Sequence, residues 1–572
     1  MDAFKAQEWR YRKEDIGLAV SISEKLGIHP LLARVLVSRS VQGAQEAYEF
    51  LHPTLRNLHD PFLFNGMIRA VERIGTAIRS GEGITVHGDY DVDGISSTAL
   101  LLTALRSSKE HVELHHFLPS RFEEGYGLSM TCLDEMEERG DGLLITVDCG
   151  VKAVEGVKTA VDRGIEVIIS DHHEPGPEIP EAVAVIDPKL EGAGYPFTEL
   201  AGVGVAFKLA TALQMRELIK LDVRDLLDLV ALGTVSDLVP LMDENRALVH
   251  FGLEQMRSTK HIGLSTLISE SGLDPRREIR SGDIAFKLGP RLNSAGRLAH
   301  PGMALDLLLT EDRFDAELFS RELSTLNYKR QAIGKKLVSD ILEEIEASGR
   351  SEDPFLVVGR EGWNPGVIGV SAAKLVEMTG KPSIILSIEN GTAKGSARAP
   401  RGFNMIEALH DISDILIEHG GHERAAGLTI SADDIGTARE RLCSFVDERY
   451  PDHRFTPVID VDLDLDLSEI DLEAVTALDP LGPFGMGNPQ PVISIREAMM
   501  GYDVARVGDG KHLKFSLMGG DRTIGCIWFN MGPLADELRP GVMVTAAGFP
   551  EVHSWMGNEE VQLRVLDLYV EG

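Results

Sequence analysis

The sequence has few cysteines, few aromatic residues and no long apolar run. Its 572 residues include only four cysteines, which share no close spacing, and 6% aromatic residues. A disulfide framework and a zinc ribbon are therefore excluded, and a reducing compartment fits best. No stretch approaches the roughly 20 apolar residues that span a bilayer, and the charged N-terminus has no apolar signal core. We expect a cytoplasmic protein with no membrane partner.

Positive charge is also scarce. The chain carries 57 basic and 90 acidic residues, a net charge of −33, which opposes a general attraction to nucleic acid. Two local stretches depart from this balance. Residues 276–300 contain six basic side chains, and residues 391–402 contain three and no acid. Each stretch taken alone fits either a solvated basic face or a loop that approaches phosphate groups.

Hydrophobic periodicity predicts an α/β protein with several domains. Short apolar runs alternate with amphipathic segments, a pattern typical of a parallel sheet, and the last part of the chain consists of short strands and turns. The predicted division is a helical segment at 1–80, a parallel-sheet lobe at 81–312, a connecting helix at 313–350, a smaller α/β lobe at 351–452 and an OB-fold-like barrel at 453–572.

Acidic and histidine residues follow the predicted strands of the first lobe. ITVH runs into His87, Asp89, Asp91 and Asp93. A loop with this much negative charge needs a counter-charge, and carboxylate and imidazole ligands suit Mn, Fe or Mg. Considered alone, the segment also fits an acidic surface turn.

Three further segments supply the same type of ligand. LLITV precedes Asp148, EVIIS precedes Asp171 with His172 and His173, and an apolar run leads to Asp237. Ligands of open parallel sheets bind at the carboxyl ends of the strands, so these side chains are expected to converge. Two metal ions bridged by a shared carboxylate would perform phosphoryl chemistry.

Other reaction classes find less support. Cys149 follows Asp148 but has no identifiable activating partner, so we interpret it as a packed residue. The glycines of GVGVA at 202–206 lack the third glycine and the acidic follower of a dinucleotide-binding fingerprint, and the sequence has no P-loop. Nucleotide-driven motor chemistry is therefore not indicated.

Eight segments together resemble a known family. HGDYDVDGISST, TVDCG, SDHHEPG and GTVSDLVPL resemble, in order and spacing, the four motifs of the DHH phosphoesterase superfamily. LGPRLNSAGRL, GWNPGVIGVSAAKL, GSARAPRGFN and GGHERAAG resemble its RecJ branch, including the DHH-associated second lobe. The resemblance covers nearly the whole chain.

The resemblance implies a set of site residues. The implied catalytic set is His87, Asp89, Asp91, Asp93, Asp148, His172, His173 and Asp237, of which all but His173 are expected to bind two divalent metal ions, Mn²⁺ or Mg²⁺. His173 is expected to act on the scissile phosphate or beside the ligands. The implied DNA- and phosphate-binding residues are Arg121, Asn293, Arg297, Ser396, Arg398 and His422. Arginine suits this role because its guanidinium pairs bidentately with phosphate oxygens. The sequence departs from the family at Ala399, where relatives commonly have serine.

The resemblance also implies an activity. RecJ proteins degrade single-stranded DNA from 5′ to 3′ and release mononucleotides in DNA repair and recombination. Single-strand-binding protein and a RecQ-type helicase are partners implied by the family alone. Two alternatives remain: a phosphodiesterase for short oligonucleotides, cyclic dinucleotides or pyrophosphate, and a non-catalytic replication scaffold.

Four aromatic residues of the predicted barrel fit two roles. Phe515, Trp528, Phe529 and Trp555 can stack on DNA bases or fill the barrel core. Because core packing is the commoner role of such residues, we do not include them in the predicted site.

Overall fold

The structure is a computed structural model of the chain. It describes residues 7–121, 124, 127–274, 276–452, 455, 458–555 and 557–570. The chain divides into two compact units. Met1–Pro53, Thr456–Phe484 and Asn488–Gly572 form the smaller unit, and Thr54–Phe455 with Gly485–Gly487 form the larger one.

The first described elements are a short strand and three helices. Asp15 caps the first helix by accepting the N–H of Leu18. Pro30 begins the second helix, a position where a backbone N–H would have no acceptor within the helix and proline is therefore tolerated. The elements are β1 (Glu8–Tyr11), α1 (Ile16–Leu26), α2 (Pro30–Ser38) and α3 (Ala44–Leu51).

A five-stranded parallel sheet forms the first lobe of the larger unit, as predicted. Its strands are β2 (Ile84–His87), β3 (Leu114–Phe117), β4 (Leu143–Val147), β5 (Glu166–Ser170) and β6 (Ala184–Ile186), in the order β3-β2-β4-β5-β6. Because all pairs are parallel, the strands end along one border, which we call the carboxyl edge.

Two hydrophobic cores cover the sheet of this lobe. Ile84 and Ile145 belong to the larger core, and Leu144 and Ile169 belong to the one on the opposite face. Burial on both faces explains why the strands are almost continuously apolar. The helices are α4 (Met67–Ser80), α5 (Val92–Arg106), α6 (Met130–Arg139), α7 (Val154–Asp162), α8 (Gly202–Met215), α9 (Leu227–Asp237), α10 (Asp243–Met256), α11 (Ile262–Glu270), α12 (Ser281–Asp283), α13 (Gly289–Leu298) and α14 (Gly302–Leu309), with a π-helical turn at Ile284–Leu288.

One long helix, α15 (Arg313–Ala347), follows the first lobe and leads into the second. Asp312 caps it by accepting the N–H groups of Phe314 and Asp315. Its first half packs on α13, where Arg291 donates a hydrogen bond to Ser324. Its second half lies against the second lobe, so α15 contacts both lobes.

The second lobe is a mixed five-stranded sheet with three helices. The strand order is β10-β11-β9-β8-β7, in which only β7 and β8 are parallel. The first of its helices packs on both α15 and α13. The elements are β7 (Leu356–Glu361), α16 (Pro365–Thr379), β8 (Ser383–Glu389), β9 (Thr392–Arg398), α17 (Met405–Asp411), β10 (Leu416–His422), β11 (Ala425–Ser431) and α18 (Ile435–Arg449).

The smaller unit contains a closed barrel, which confirms the predicted OB-fold class. Strand β14 pairs with both β18 and β16, so β14, β18, β19, β17 and β16 close into a ring. Phe515 and Trp528 are buried in its core, Phe529 is 45% exposed, and the Trp555 side chain lies outside the described part. The elements are β12 (Val458–Val461), β13 (Leu463–Leu465), α19 (Leu472–Thr476), β14 (Ile493–Met500), β15 (Ala505–Val507), β16 (His512–Gly519), β17 (Arg522–Trp528), β18 (Met543–Trp555) and β19 (Asn558–Val570).

The N-terminal elements share this unit. Strand β1 pairs in parallel with β12, and Ile22 of α1 and Leu36 of α2 are part of the same core as Phe515. Residues near the two ends of the chain therefore fold together. Among the described residues of the whole chain, no helix combines the length and apolar character required for crossing a membrane.

Candidate metal centre and phosphate-binding site

The loop after β2 places three carboxylates beside the start of α5. Asp91 caps α5 by accepting the N–H groups of Asp93 and Gly94. A Cβ at position 94 would lie only 2.5 Å from the Asp89 nitrogen, so the close turn requires glycine. Asp89 and Asp93 are buried with exposures of 5% and 1%, which is unusual for carboxylates without an ion pair.

Asp148 stands at the end of β4 in a left-handed backbone conformation, with φ of 61°. Its N–H donates to the Ser170 carbonyl, and its side chain is 2% exposed. The start of α8 approaches so closely that a Cβ at Gly202 would lie 2.5 Å from Asp148 Oδ1. The same helix end donates the N–H groups of Gly202 and Val203 to Asp93, at 2.7 and 2.9 Å. The N-terminus of α8 thus fixes this part of the site.

His172 brings the segments together. Its Nε2 lies 3.1 Å from Asp148 Oδ1, 3.7 Å from Asp237 Oδ2 and 3.9 Å from Asp93 Oδ2. Neither ring nitrogen has a hydrogen-bond partner among the described residues. Burial lowers the pKa of His172 to about 3, so its imidazole is neutral at physiological pH. A neutral nitrogen facing three carboxylates is an arrangement suited to a cation.

Ligand atoms of seven predicted residues form three overlapping groups in which all atoms lie within 4.8 Å of one another. Asp148 belongs to two of these groups, and its Oδ1 has no hydrogen-bond partner in the described part of the chain. The residues therefore fit adjacent metal ions that share ligands. The groups are Asp148 with His172 and His173, Asp93 with His172 and Asp237, and Asp89 with Asp91 and Asp148.

The protonation of these carboxyl groups reflects their crowding. Burial, and then the charge of Asp91, raise the pKa of Asp89 to about 8. Burial, and then the charges of Asp93 and Asp91, raise the pKa of Asp237 to about 9. For Asp148, burial and the neighbouring carboxylates raise the pKa well above its ordinary value. Positive charge at the site would relieve this repulsion.

The structure places His87 differently from the other seven residues. It is fully buried at the end of β2, and its Nε2 accepts the N–H of Ser129 at 3.3 Å. Its Nδ1 lies 3.6 Å from Cys149 Sγ. Both ring nitrogens therefore face protein groups, and the ligand role expected for His87 stays a prediction. Cys149 is 1% exposed, as a packed residue would be.

Asp171 orients the histidine pair; it was expected to converge with the other strand-end residues but was not included in the implied catalytic set. One of its oxygens accepts the backbone N–H of His172 at 2.7 Å and lies 2.8 Å from His173 Nδ1. Burial alone would raise the pKa of Asp171, but the hydrogen bond and charge of His173 lower it overall. Burial alone would lower the pKa of His173, which Asp171 instead raises. Its position directly before two histidines is the signal that identifies Asp171.

A cluster of arginines lies beside the acidic residues. Arg121 lies over the Tyr90 ring, 4.2 Å from its centroid, and the Arg297 guanidinium donates to the Gly366 carbonyl of α16 at 3.2 Å. Burial, and then the charges of Arg121, Arg330 and Arg398, lower the pKa of Arg297 to about 10. In the part of the chain that the structure describes, none of these four arginines has a carboxylate within ion-pair distance. The site thus places four guanidinium groups without ion-pair partners among the described residues next to the acidic cluster.

Ser396, Arg398 and His422 lie on the second lobe. Arg398 donates to Ser396 Oγ at 2.9 Å, so β9 presents the hydroxyl and the guanidinium together. The strand register aligns His422 with Ala425 and Ala425 with Arg398 across three strands. The side chains of His422 and Arg398 therefore lie on the same face of the sheet. His422 is exposed, and its Nδ1 accepts the N–H of Arg424.

Asn293 and Arg297 lie on α13 and line a cavity of about 150 Å³ with Ser236 and Leu238, the neighbours of Asp237. Arg330 of α15 lines the same cavity and was not predicted. No local signal marks it, because it stands within a helix rich in charged residues. Tyr90, also not predicted, is half-buried between two aspartates of the first motif.

Comparison with known protein families gives three matches along the chain. Residues 83–234 match the N-terminal domain of the DHH family, residues 352–448 match the DHHA1 domain, and residues 461–567 match the RecJ OB domain.

Individual relatives match over nearly the full chain. The single-stranded-DNA-specific exonuclease RecJ of Bacillus subtilis (strain 168) is 41% identical over 98% of this chain and 71% of the relative. The crystal structure of RecJ from Thermus thermophilus in complex with Mn²⁺ has a TM-score of 0.83 at 29% identity, and covers 98% of this chain and 79% of that one. The corresponding Mg²⁺ complex has a TM-score of 0.76 at 28% identity, with coverage of 98% and 78%.

Proposed function

Because the chain belongs to the RecJ family of DHH proteins, we infer that it is a metal-dependent exonuclease specific for single-stranded DNA. The observation that carries this function is His172 Nε2 lying within 3.9 Å of three carboxylates at the carboxyl edge, beside arginines without carboxylate partners among the described residues. Such a site combines ligands for cations with donors for phosphate. By the family resemblance, degradation runs from 5′ to 3′, releases mononucleotides and serves DNA repair and recombination.

Divalent metal ions, Mn²⁺ or Mg²⁺, are the cofactors that fit the site. The residues that would hold them are Asp89, Asp91, Asp93, Asp148, His172 and Asp237. Bound there, such ions lower the pKa of water and stabilise the charge that develops on the phosphate oxygens. Buried oxygens of Asp89 and Asp148 without hydrogen-bond partners among the described residues support this assignment. His87 is part of the proposed set through the family motif.

His173 is proposed to act on the scissile phosphate. Asp171 binds its Nδ1 and raises its pKa, so His173 can hold a proton near neutral pH. A protonated imidazole beside the acidic cluster donates a hydrogen bond to a phosphate oxygen. Asp171 acts through His173 and is a positioning residue.

Arg121, Ser396 and Arg398 are proposed to bind the 5′-terminal phosphate. The Ser396 hydroxyl contacts the Arg398 guanidinium, and Gly369 of α16 approaches both: a Cβ there would lie 3.0 Å from Ser396 Oγ. Charge-assisted bidentate contacts of this kind favour phosphate over a neutral hydroxyl. Asn293, Arg297 and His422 are proposed to contact the DNA backbone.

We also propose a domain organisation, two protein partners and a cellular location for this chain. The five-part division predicted from the sequence remains our proposal for the domains. Single-strand-binding protein and a RecQ-type helicase are proposed partners by family resemblance alone. A cytoplasmic location is supported by four free cysteines, which suit a reducing compartment.

The raised carboxyl pKa values predict a pH-dependent response to metal. In the folded protein the pKa rises from 3.8 to about 8 for Asp89 and to about 9 for Asp237. Each protonated carboxyl group therefore stabilises the folded state fully below pH 3.8, the pKa of the unfolded chain. This contribution is lost as pH rises through the folded pKa. We therefore expect Mn²⁺ to raise the melting temperature more at alkaline than at acidic pH, measured by differential scanning fluorimetry.

The control for this measurement is Asp162→Ala, which removes an exposed carboxylate from α7 and should retain the full response. Asp237→Asn should reduce it. An equal Mn²⁺ response at both pH values, or an undiminished one in Asp237→Asn, would contradict the metal assignment.

The proposed function is tested by comparing the degradation rates of single-stranded, duplex and dinucleotide substrates. We expect rapid degradation of a long 5′-phosphorylated single strand, little degradation of the blunt duplex of the same sequence, and no preference for a dinucleotide. Preference for the dinucleotide or a cyclic dinucleotide would favour the small-substrate alternative. Binding of the single strand without degradation in Mn²⁺ or Mg²⁺ would favour the scaffold alternative.

A further inference from the structure

A small cavity with a mixed polar and apolar lining lies next to the acidic cluster, where α9 ends and α13 and α15 pass. Its volume is about 150 Å³, which accommodates a phosphate group. Its walls combine apolar side chains with hydrogen-bond donors. The lining residues are Val235, Ser236, Leu238, Ala285, Gly289, Pro290, Asn293, Arg297 and Arg330.

Arg330 is one of the donors that line this cavity. Its Nε is buried without a hydrogen-bond partner among the described residues, and no carboxylate in that part of the chain pairs with it. Burial lowers the pKa of its guanidinium, because desolvation disfavours the charged form. A half-buried cation without a counter-charge loses part of its hydration, so the arrangement favours a bound anion.

A second unpartnered group faces the same space. Ser236 Oγ is buried without a hydrogen-bond partner in the described part of the chain. A Cβ at Gly289 would lie 2.8 Å from this oxygen, so glycine is needed for α13 to approach it. Arg297 adds a further positive charge, and Asn293 adds an amide. The cavity thus combines a hydroxyl, an amide and two guanidinium groups, which is a set of donors for an anion.

We propose that this cavity binds an internal phosphodiester of the DNA strand, with Arg330 and Ser236 as its ligands. The inference rests on the proposed function and adds a phosphate site to it. The site is separate from the residues Ser396 and Arg398, which lie on β9. Because Ser236 precedes Asp237 in the chain, a phosphate held here fixes the strand directly beside the metal ligands. The apolar walls suit the adjacent deoxyribose.

The test replaces one backbone phosphate at a time by an uncharged methylphosphonate in a 5′-phosphorylated single strand. With wild-type protein in Mn²⁺, we expect one internal position, distinct from the cleaved linkage, to raise KM. Arg330→Ala should raise KM about 10-fold on unmodified DNA, as loss of a hydrogen bond to a charged group does, and should remove the sensitivity at that position. The slope of log KM against log salt concentration should be about 0.7 smaller for Arg330→Ala than for the wild-type protein, which is the value for one phosphate contact.

Matched variants separate binding from folding. Arg321→Ala removes an exposed charge from the same helix and should leave KM and the methylphosphonate pattern unchanged. Arg330→Met keeps the side-chain volume, and Arg330→Lys should restore part of the affinity through its charge. A wild-type scan without a sensitive internal position, or an Arg330→Ala protein that retains that sensitivity, would overturn the inference. Wild-type protein that fails to degrade unmodified DNA would instead overturn the proposed function.

Discussion

Asp148→Ala is expected to abolish DNA degradation while DNA binding is retained. Asp148 contributes to two of the three ligand groups, so its loss weakens both at once. Residues that merely orient a metal ligand cost about 10- to 100-fold on mutation, and a shared ligand should cost more than about 100-fold in kcat. Binding is retained because the arginines are unaffected and the mutation removes negative charge. Single-turnover cleavage in Mn²⁺, together with fluorescence anisotropy on the same strand, checks both expectations.

A second variant guards against misfolding at this tight position. Since α8 packs directly on the Asp148 side chain, alanine leaves a space, whereas Asp148→Asn keeps the shape and removes the charge. Asp162→Ala is the matched control and should cleave normally. Undiminished turnover in either Asp148 variant would rule out a shared carboxylate as the centre of the metal site.

Arg398→Ala is expected to remove most of the preference for a 5′-phosphorylated end. Hydrogen bonds to charged groups contribute about 1.5–3 kcal/mol, so the ratio of kcat/KM between phosphorylated and hydroxyl ends should fall about 10- to 100-fold. Because Arg398 lies on β9, outside the described ligand groups, the Mn²⁺ dependence should remain close to that of the wild-type protein.

Lys394→Ala is the control for this prediction. Lys394 is exposed on the same strand, so the variant removes an equal charge without reaching Ser396. Arg398→Lys should recover little of the preference, because an ammonium group lacks the bidentate geometry of a guanidinium. Equal losses of kcat/KM on phosphorylated and hydroxyl ends would place Arg398 elsewhere on the DNA backbone.

The parallel sheet and the convergence of its strand ends were predictable from the sequence. Asp148 and His172 follow continuous apolar runs, and parallel strands deliver whatever follows them to one edge. The structure accordingly places His172 Nε2 3.1 Å from Asp148 Oδ1, although the residues belong to different strands. Local pattern was sufficient here because strand direction determines the position.

Other features depend on contacts between distant segments. Arg10 and Asp460 are 450 residues apart in the chain but form a hydrogen bond where β1 pairs with β12. No local sequence pattern predicts this contact. The hydrogen bonding of the His87 ring depends on Ser129, a residue distant in the sequence. Arg330 is comparable: its nearest neighbours in sequence are charged, and its Nε is buried where α15 packs on other helices.

The most direct test of the central claim follows one single-stranded DNA labelled at either end. The 5′-phosphorylated strand is incubated with the protein in Mn²⁺, in Mg²⁺ and in EDTA, and products are resolved over time. We expect labelled mononucleotide to appear early from the 5′-labelled strand and late from the 3′-labelled one, and EDTA to abolish both. Early release from the 3′ end, or degradation that persists in EDTA, would contradict a metal-dependent exonuclease that starts at the 5′ end.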